Sequence, residues 1–391
     1  MASKPKFFEF FAGGGMARAG LGEGWECLFA NDFDAMKVAT YAANWGGDHI
    51  VLADVARLSV SDLPGRADLV WASFPCQDLS LAGDYRGLGR ASSAVKTRSG
   101  TFWPFWRLVK GLIADGRAPR LIVLENVYGA LTSNGGRDFA AIGQALSDAD
   151  YRFGAMVIDA RRFIPQSRPR VFFVAARHGE NIPAALHAAG PDATWHPPAL
   201  AAAQSGLSAA ARDNWVWWDL PRPAARNTVF ADLVEEHPTG VRWRTDEETR
   251  YLISLMSDVN LRKIDAAKKL GRRMVGAVYR RTRPDENGQK RQRAEVRFDE
   301  IAGCLRTPAG GSSRQTIMVV DGERVRSRLL SAREAARLMG LDDSYVLPER
   351  YNDAYHVCGD GVAVPVVRHV AQHILRPILE ANPAAMLLAA E

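Results

Sequence analysis

Lys6-Phe7-Phe8-Glu9-Phe10-Phe11-Ala12-Gly13-Gly14-Gly15 leads directly into Met16–Leu21. The apolar run reads as a buried strand, the glycines as a tight turn, and Met16 onward as the start of a helix. Strand, glycine turn and helix in this order begin a doubly wound α/β fold. In such folds ligands bind outside the carboxyl ends of the strands. Glycines at the turn let backbone approach a ligand closely. The spacing is not G-x-G-x-x-G, so a nicotinamide dinucleotide is disfavoured.

The alternation continues outward from that stretch. Trp25 to Asn31 reads as a second strand ending in Asn31-Asp32-Phe33, with a helix over Asp34 to Asn44. An acid at the end of this strand sits where a ribose hydroxyl needs an acceptor. Asp32 is equally placed to cap the following helix. Phe33 either stacks on a base or fills core. His49–Leu52 reads as a third strand, with Asp54 and Val55 after it. Asp68–Ala72 is a short buried strand that breaks at Pro75 and presents Cys76. A thiol at a strand exit is where an α/β protein places a nucleophile; a lone Cys is also a common small core residue.

Leu81 to Arg98 is long, polar and glycine-rich, and connections of that kind are usually functional or disordered. Its arginines, Arg86 and Arg98 among them, can meet phosphate. Thr101 to Asp115 reads as a helix and Arg120–Leu124 as a strand ending in Glu125-Asn126-Val127. A charged Glu at a strand exit is costly unless used or paired. Alone it reads as a structural ion-pair member; with a Cys at another strand's exit it becomes an active-site candidate. Gly136 to Ala149 is an amphipathic helix. Strands over Tyr151–Ile158 and Arg170–Ala175 flank Ile164–Arg170, where Arg168 and Arg170 alternate on an extended segment and point the same way. A solvated edge strand would show the same spacing.

Bulk properties bound the reading. The chain has 391 residues, 47% hydrophobic content and a net charge of +6, which permits a nucleic-acid partner. Its four Cys include no C-x-x-C pair, which argues against a zinc site or a disulfide framework and for a reducing cytoplasm. The N-terminus shows no signal-peptide core, and no apolar run approaches a membrane span. From about Glu180 Pro, Ala and Trp accumulate and strand–helix alternation fades. Val241 to Arg297 is strongly basic and includes Arg272, Arg273, Arg280, Arg281 and Arg283. This reads as a second domain with a phosphate-tracking surface or a merely solvated face. Leu305–Ser313 is turn-rich. Ser331 to Glu334 forms a capping box for a helix closing on Gly340, and Gly359–Val366 leads into a last helix.

Three segments together carry a family resemblance: Phe74-Pro75-Cys76-Gln77, Glu125-Asn126-Val127, and Gln166-x-Arg168-x-Arg170. In this order and at these separations they resemble the bacterial DNA cytosine-5 methyltransferases, over nearly the whole chain. The resemblance implies a doubly wound, mostly parallel α/β sheet of the S-adenosylmethionine-dependent methyltransferase type with a smaller irregular target-recognition domain. It implies a catalytic domain over residues 1–178, target recognition over 179–325, and a C-terminal segment, 326–391, returning to the catalytic domain. Cys76 would be the covalent nucleophile and Glu125 a proton-bearing partner with a raised pKa. Arg168 and Arg170 would hold the base oxygen, Glu125 and a phosphate. S-adenosyl-L-methionine would be held by Phe11, Ala12, Gly13, Gly15, Asp32, Phe33, Asp54, Val55, Pro75, Asp360 and Val362. Double-stranded DNA would be bound through Gln77, Arg86, Arg98, Arg272, Arg273, Arg280, Arg281 and Arg283, with the loop 81–98 closing over a flipped-out cytosine. The implied protein is a cytoplasmic monomer with a cognate restriction endonuclease as a further partner. Asp360 stands where the family usually has Asn, which changes the charge near the cofactor's amino-acid end. Rival readings are an RNA (tRNA) methyltransferase, a non-catalytic DNA-binding relative, and a nucleotide-binding oxidoreductase.

Overall fold

The computed structural model describes residues 3–75, 101–284, 288–306 and 314–382. Cys76, Gln77, Arg86, Arg98 and the 307–313 stretch lie outside the described residues, as does the side chain of Arg283. The chain divides into two compact units. One comprises Met1–Asp159, Pro169–Arg222 and Val366–Glu391, the other Ala160–Arg168 and Pro223–Pro365.

The first unit is built on seven strands: β1 (Lys6–Phe10), β2 (Glu26–Asp32), β3 (Ile50–Leu52), β4 (Leu69–Ala72), β5 (Leu121–Val127), β6 (Tyr151–Asp159) and β7 (Pro169–Arg177). They lie in the order β3-β2-β1-β4-β5-β7-β6. All are parallel except β7, which runs antiparallel to β5 and to β6. Parallel neighbours need crossovers. Helices α1 (Met16–Leu21), α2 (Ala35–Trp45), α3 (Phe102–Ala114) and α4 (Arg137–Asp148) alternate with the strands and supply them. β4 and the apolar part of β5 are buried throughout, which is why they read as unbroken hydrophobic runs. Strand order reverses between β1 and β4. The crevice at their carboxyl ends is the ligand position of an open α/β sheet, and the glycine turn and Phe74-Pro75 both leave the sheet there.

The Trp-rich stretch stays with this unit rather than opening a new one at residue 179. It carries α5 (Pro198–Ser205) and α6 (Ala209–Asp213). The Trp218 indole donates to Val174 O at 3.3 Å. Trp215 packs edge-on against Phe153, with ring centroids 5.4 Å apart. A Cβ on Gly154 would come within 1.8 Å of Val216 O, so this close approach requires the glycine. The tryptophans bury large apolar area, and β6 offers the surface for it.

The second unit contains α7 (Asp246–Ser254), α8 (Asp258–Lys269), β8 (Met274–Pro284), β9 (Lys290–Arg297), β10 (Thr316–Asp321) and β11 (Arg324–Leu329). Where the resemblance implies irregular structure, these strands form an antiparallel sheet ordered β11-β10-β8-β9. Met274, Val278, Val296, Met318 and Val320 meet Leu252 and Ile264 of the two helices in its core. By their contacts residues 326–365 group with this unit. In α9 (Ala332–Arg337) the expected capping box is present, and its Glu334 also takes the fully buried Arg328 guanidinium at 2.6 Å. That ion pair ties β11 to α9. α10 (Tyr351–Asp360) follows, α11 (Val364–Val370) spans the division, and α12 (Arg376–Glu380) lies in the first unit. There Arg376 sits 5.9 Å over the Trp25 ring, beside the start of β2. Among the described residues no helix is long and apolar enough to cross a membrane.

Candidate active site

The first half of the site is a floor made where β1, β2 and β3 end. At the exit of β1, Phe11 takes a left-handed φ of 58°. An aromatic residue there costs about 1–3 kcal/mol and persists only where its surroundings hold it. Gly13 (φ 55°) and Gly15 (φ 79°) complete the turn. A Cβ on Gly15 would lie 2.3 Å from the Trp45 indole nitrogen, so the turn is pressed onto α2. Gly13 N donates to Asp32 Oδ2 at 2.9 Å and Asp34 N to Asp32 Oδ1 at 3.0 Å. Helix α2 is capped by Asp34, which accepts from Met36 N and Lys37 N. Asp32 therefore serves the glycine turn rather than the helix, and burial raises its carboxyl pKa. Asn31 Nδ2 reaches Ala53 O at 2.7 Å and locks the end of β3 to that of β2.

Above this floor Phe33 is 64% exposed and Leu52 53% exposed, so neither fills core. Asp54 is exposed and accepts from Ala56 N at 2.9 Å, starting a short 3-10 turn. Val55 is core. An exposed aromatic face, a neighbouring buried carboxylate and a backbone turn with positive φ fit a nucleoside bearing a polar tail.

Glu9 was not singled out from the sequence, although a carboxylate inside Phe7-Phe8-Glu9-Phe10 is the signal that finds it. It lies on β1 at 1% exposure, and among the described residues Oε2 has no hydrogen-bond partner. Burial pushes its pKa up to about 8 against the lowering effect of Arg18. The group is a neutral acid over most of the physiological range, and nearby Asp32 reinforces this.

The second half of the site lies where β4 and β5 end. Asn126 Nδ2 donates to Phe74 O at 3.2 Å, and Asn126 Oδ1 accepts from Val127 N at 2.8 Å. One side chain thus ties the exit of β5 to the segment that leads into Pro75 and Cys76. Glu125, 7% exposed, lies next to it in sequence. Arg170, opposite Val127 on β7, places its Nε 3.2 Å from Glu125 Oε1. Consecutive residues of β5 thus take different partners, Asn126 bonding Phe74 and Glu125 pairing with Arg170.

Arg168 has other partners among the described residues. Alternation along the chain aims it with Arg170, yet it precedes β7 and its contacts assign it to the second unit. It is 2% exposed and donates to Gly359 O at 2.8 Å, Gly361 O at 2.6 Å and Leu305 O at 3.1 Å. Its guanidinium holds the segment around Asp360. Gln166, fully buried, accepts from Leu305 N at 3.1 Å and braces the same region. Asp360 Oδ2 lies 3.1 Å from His356 Nε2, and Val362 is buried.

The expected DNA-binding arginines divide likewise. Arg273 donates to Ala231 O and Val234 O, and Arg272 lies 3.6 Å from Glu300, so both join segments of the second unit. Arg280 donates to Gln292 across the β8–β9 pair. Arg281 stands directly opposite Arg293 in the strand register. Like charges directly opposite destabilise a sheet pair, so this ribbon carries a cost that an anionic partner would relieve.

A family model described as C-5 cytosine-specific DNA methylase matches residues 5–376. Type II methyltransferase M.NlaX of Neisseria lactamica is 26% identical over 373 residues, covering 94% of this chain and 96% of the relative. Type II methyltransferase M.HhaI of Haemophilus parahaemolyticus is 23% identical over 371 residues, 94% of each. Among solved structures, the S. pombe Dnmt2 methyltransferase aligns with a TM-score of 0.54 at 16% identity, over 96% of this chain and 98% of that one. A putative DNA modification methyltransferase encoded within an E. coli prophage aligns with a TM-score of 0.57 at 16% identity, over 96% and 99%. At such identities the structural matches speak for the fold.

Proposed function

We propose, from the premise that this chain belongs to the C-5 cytosine-specific DNA methylase family and is a DNA cytosine-5 methyltransferase, that it methylates a flipped-out cytosine in a specific duplex sequence through a covalent Cys76 adduct. The observation that carries this reading is the Asn126–Phe74 bond beside the Arg170–Glu125 pair. Together they set an acid–guanidinium couple at the strand ends where Phe74 and Pro75 leave β4.

Carbon 5 of cytosine is a weak nucleophile. Addition of the Cys76 thiolate to carbon 6 moves electron density to carbon 5. An ordinary thiol titrates near 8.5 and needs a positive environment to ionise. Glu125 bonds ring nitrogen 3 and the exocyclic amino group, stabilising charge that develops there. Arg170 orients Glu125 and faces the base oxygen. Arg168 is better read as a positioning residue for the Gly359–Gly361 turn. When bound, S-adenosylmethionine supplies an electrophilic methyl group; Asp32, Phe33 and the Phe11–Gly15 turn are the residues that would hold it. After transfer, loss of the carbon 5 proton returns its electron pair to the ring and expels the Cys76 thiolate. A stacked base cannot reach such a crevice, so the nucleotide must leave the duplex. Beyond its pairing with β10, β8 continues with β9 as a two-stranded ribbon, the kind of element that a major groove admits.

The test uses labelled S-adenosylmethionine with duplex DNA or with tRNA, and a duplex carrying 5-fluorocytosine. Wild type should label DNA and be trapped covalently on the fluorinated duplex. Cys76→Ala should do neither, yet still bind DNA and cofactor. Transfer by the alanine variant near the wild-type rate, or labelling confined to tRNA, would overturn the reading.

A further inference from the structure

The second unit holds a cavity of about 730 Å³ that no sequence motif accounts for. Four arginines line it: Arg242, Arg244, Arg314 and Arg350. The first turn of α10, beginning at Tyr351, also opens into it. Arg350 is the N-cap of that helix and makes no side-chain cap. The leading N–H groups and the positive end of the helix dipole therefore add to the guanidinium charges. Arg314 sits 5.8 Å over the Tyr351 ring, and among the described residues its buried Nε has no hydrogen-bond partner. Among the described residues the Arg244 guanidinium reaches long contacts, 3.4 Å to Ser327 Oγ and 3.5 Å to Thr316 Oγ1.

Acids offset only part of this charge, two carboxylates against four guanidiniums. Glu248 is held at both oxygens by Arg242, at 2.7 and 2.6 Å, and also accepts from Thr245 N. The other lining acid is Asp353, in the first turn of α10. Arg280, on the β8–β9 ribbon, lies near enough to Arg244 to help lower its pKa, after the larger effect of burial. Positive charge thus runs from the ribbon into the cavity. Planar guanidinium forks and helix N–H groups are suited to phosphate oxygens. The volume equals that of about twenty-four waters at about 30 Å³ each. That is far more than a lone inorganic ion needs, and it suits a phosphate with its flanking sugars.

We propose that this cavity binds a backbone phosphodiester of the duplex outside the recognised bases, clamped by Arg314, Arg350 and the α10 N-terminus with Arg244 behind them. The assignment rests on the DNA substrate proposed above. Arg314 and Arg350 then act as sequence-independent anchors that fix the register of the duplex while the ribbon reads bases.

The experiment measures duplex affinity by fluorescence anisotropy at several salt concentrations for wild type, Arg350→Ala, Arg350→Lys and the Arg314→Ala/Arg350→Ala double variant. Target and non-target duplexes are compared, and thermal unfolding checks each fold. Inorganic phosphate is titrated separately by phosphorus NMR. The double variant should lose about tenfold in affinity on both duplexes, with a salt slope shallower by about 1. Arg350→Lys should recover much of the loss. If the double variant does not fold, the exposed Arg350→Ala alone should show the same pattern at smaller size. A folded variant with unchanged affinity and slope removes the cavity from DNA binding. Loss of inorganic phosphate binding with DNA binding intact would make it a free-anion site and likewise overturn the proposal. Wild type that binds no duplex would instead remove the proposed substrate.

Discussion

Glu9→Gln should make the protein's stability less dependent on pH. In the folded state burial holds the Glu9 acid near 8, against an ordinary 4.5. Below 4.5 the folded and unfolded chains both carry the proton, and the group costs nothing. Between 4.5 and about 8 the unfolded chain releases its proton while the folded chain retains it, so stability falls as pH rises. Above about 8 the folded group ionises too, and the loss levels off. At about 1.36 kcal/mol per pH unit, that interval sets a ceiling of about 5 kcal/mol. Gln has nearly the same shape and no charge. Any packing or hydrogen-bond change it introduces is constant with pH, so the informative quantity is the change in the wild-type-minus-variant difference. Urea unfolding at pH 5, 6.5 and 8 should show the variant gaining on wild type by a few kcal/mol across that range. A difference that stays flat from pH 5 to 8 would mean that Glu9 titrates normally and that the reasoning from burial is wrong.

Arg170→Ala should leave Glu125 without the guanidinium now 3.2 Å away. Breaking a buried ion pair costs about 3–5 kcal/mol, and single-turnover methylation should slow by about 10²–10³; an unchanged rate would detach Arg170 from the chemistry. Asp32→Ala removes the acceptor of Gly13 N, and calorimetry should show S-adenosylmethionine binding weaker by about 1–3 kcal/mol. Unchanged affinity would leave Asp32 a brace for the glycine turn. The Arg281→Ala/Arg293→Ala pair removes facing like charges, so it should raise the unfolding midpoint slightly while weakening DNA binding and flattening its salt slope. A stability loss with DNA binding intact would refute that account of the ribbon.

Much of this protein is written in local pattern. Lys6–Leu21 states its strand, turn and helix because the side-chain period and the glycines are properties of neighbouring residues. Glu125-Asn126-Val127 and the Phe74-Pro75 break mark strand exits for the same reason, and the order of the segments names the family. Partner choice is another matter, since it depends on groups far apart in the chain. Asp32 and Asp34 are both acids before α2. The fold gives the cap to Asp34 and the glycine turn to Asp32, because Gly13 N arrives beside only one of them. Arg168 and Arg170 are equivalent by spacing, yet the carbonyls of Gly359 and Gly361 claim one and Glu125 the other. The tryptophans beyond residue 179 find their apolar surface on β6, and β11 finds its partner in β10, contacts that no local pattern announces. Glu9 is visible as a letter, but its neutrality comes from burial between elements that the letters do not bring together. The four arginines of the second cavity are scattered from Arg242 to Arg350 and converge only through the fold. Periodicity and turn chemistry act over a few residues, so sequence alone determined the elements and their family. Hydrogen bonds, ion pairs and desolvation act over distances in space, so only the tertiary structure decided which side chains serve which site.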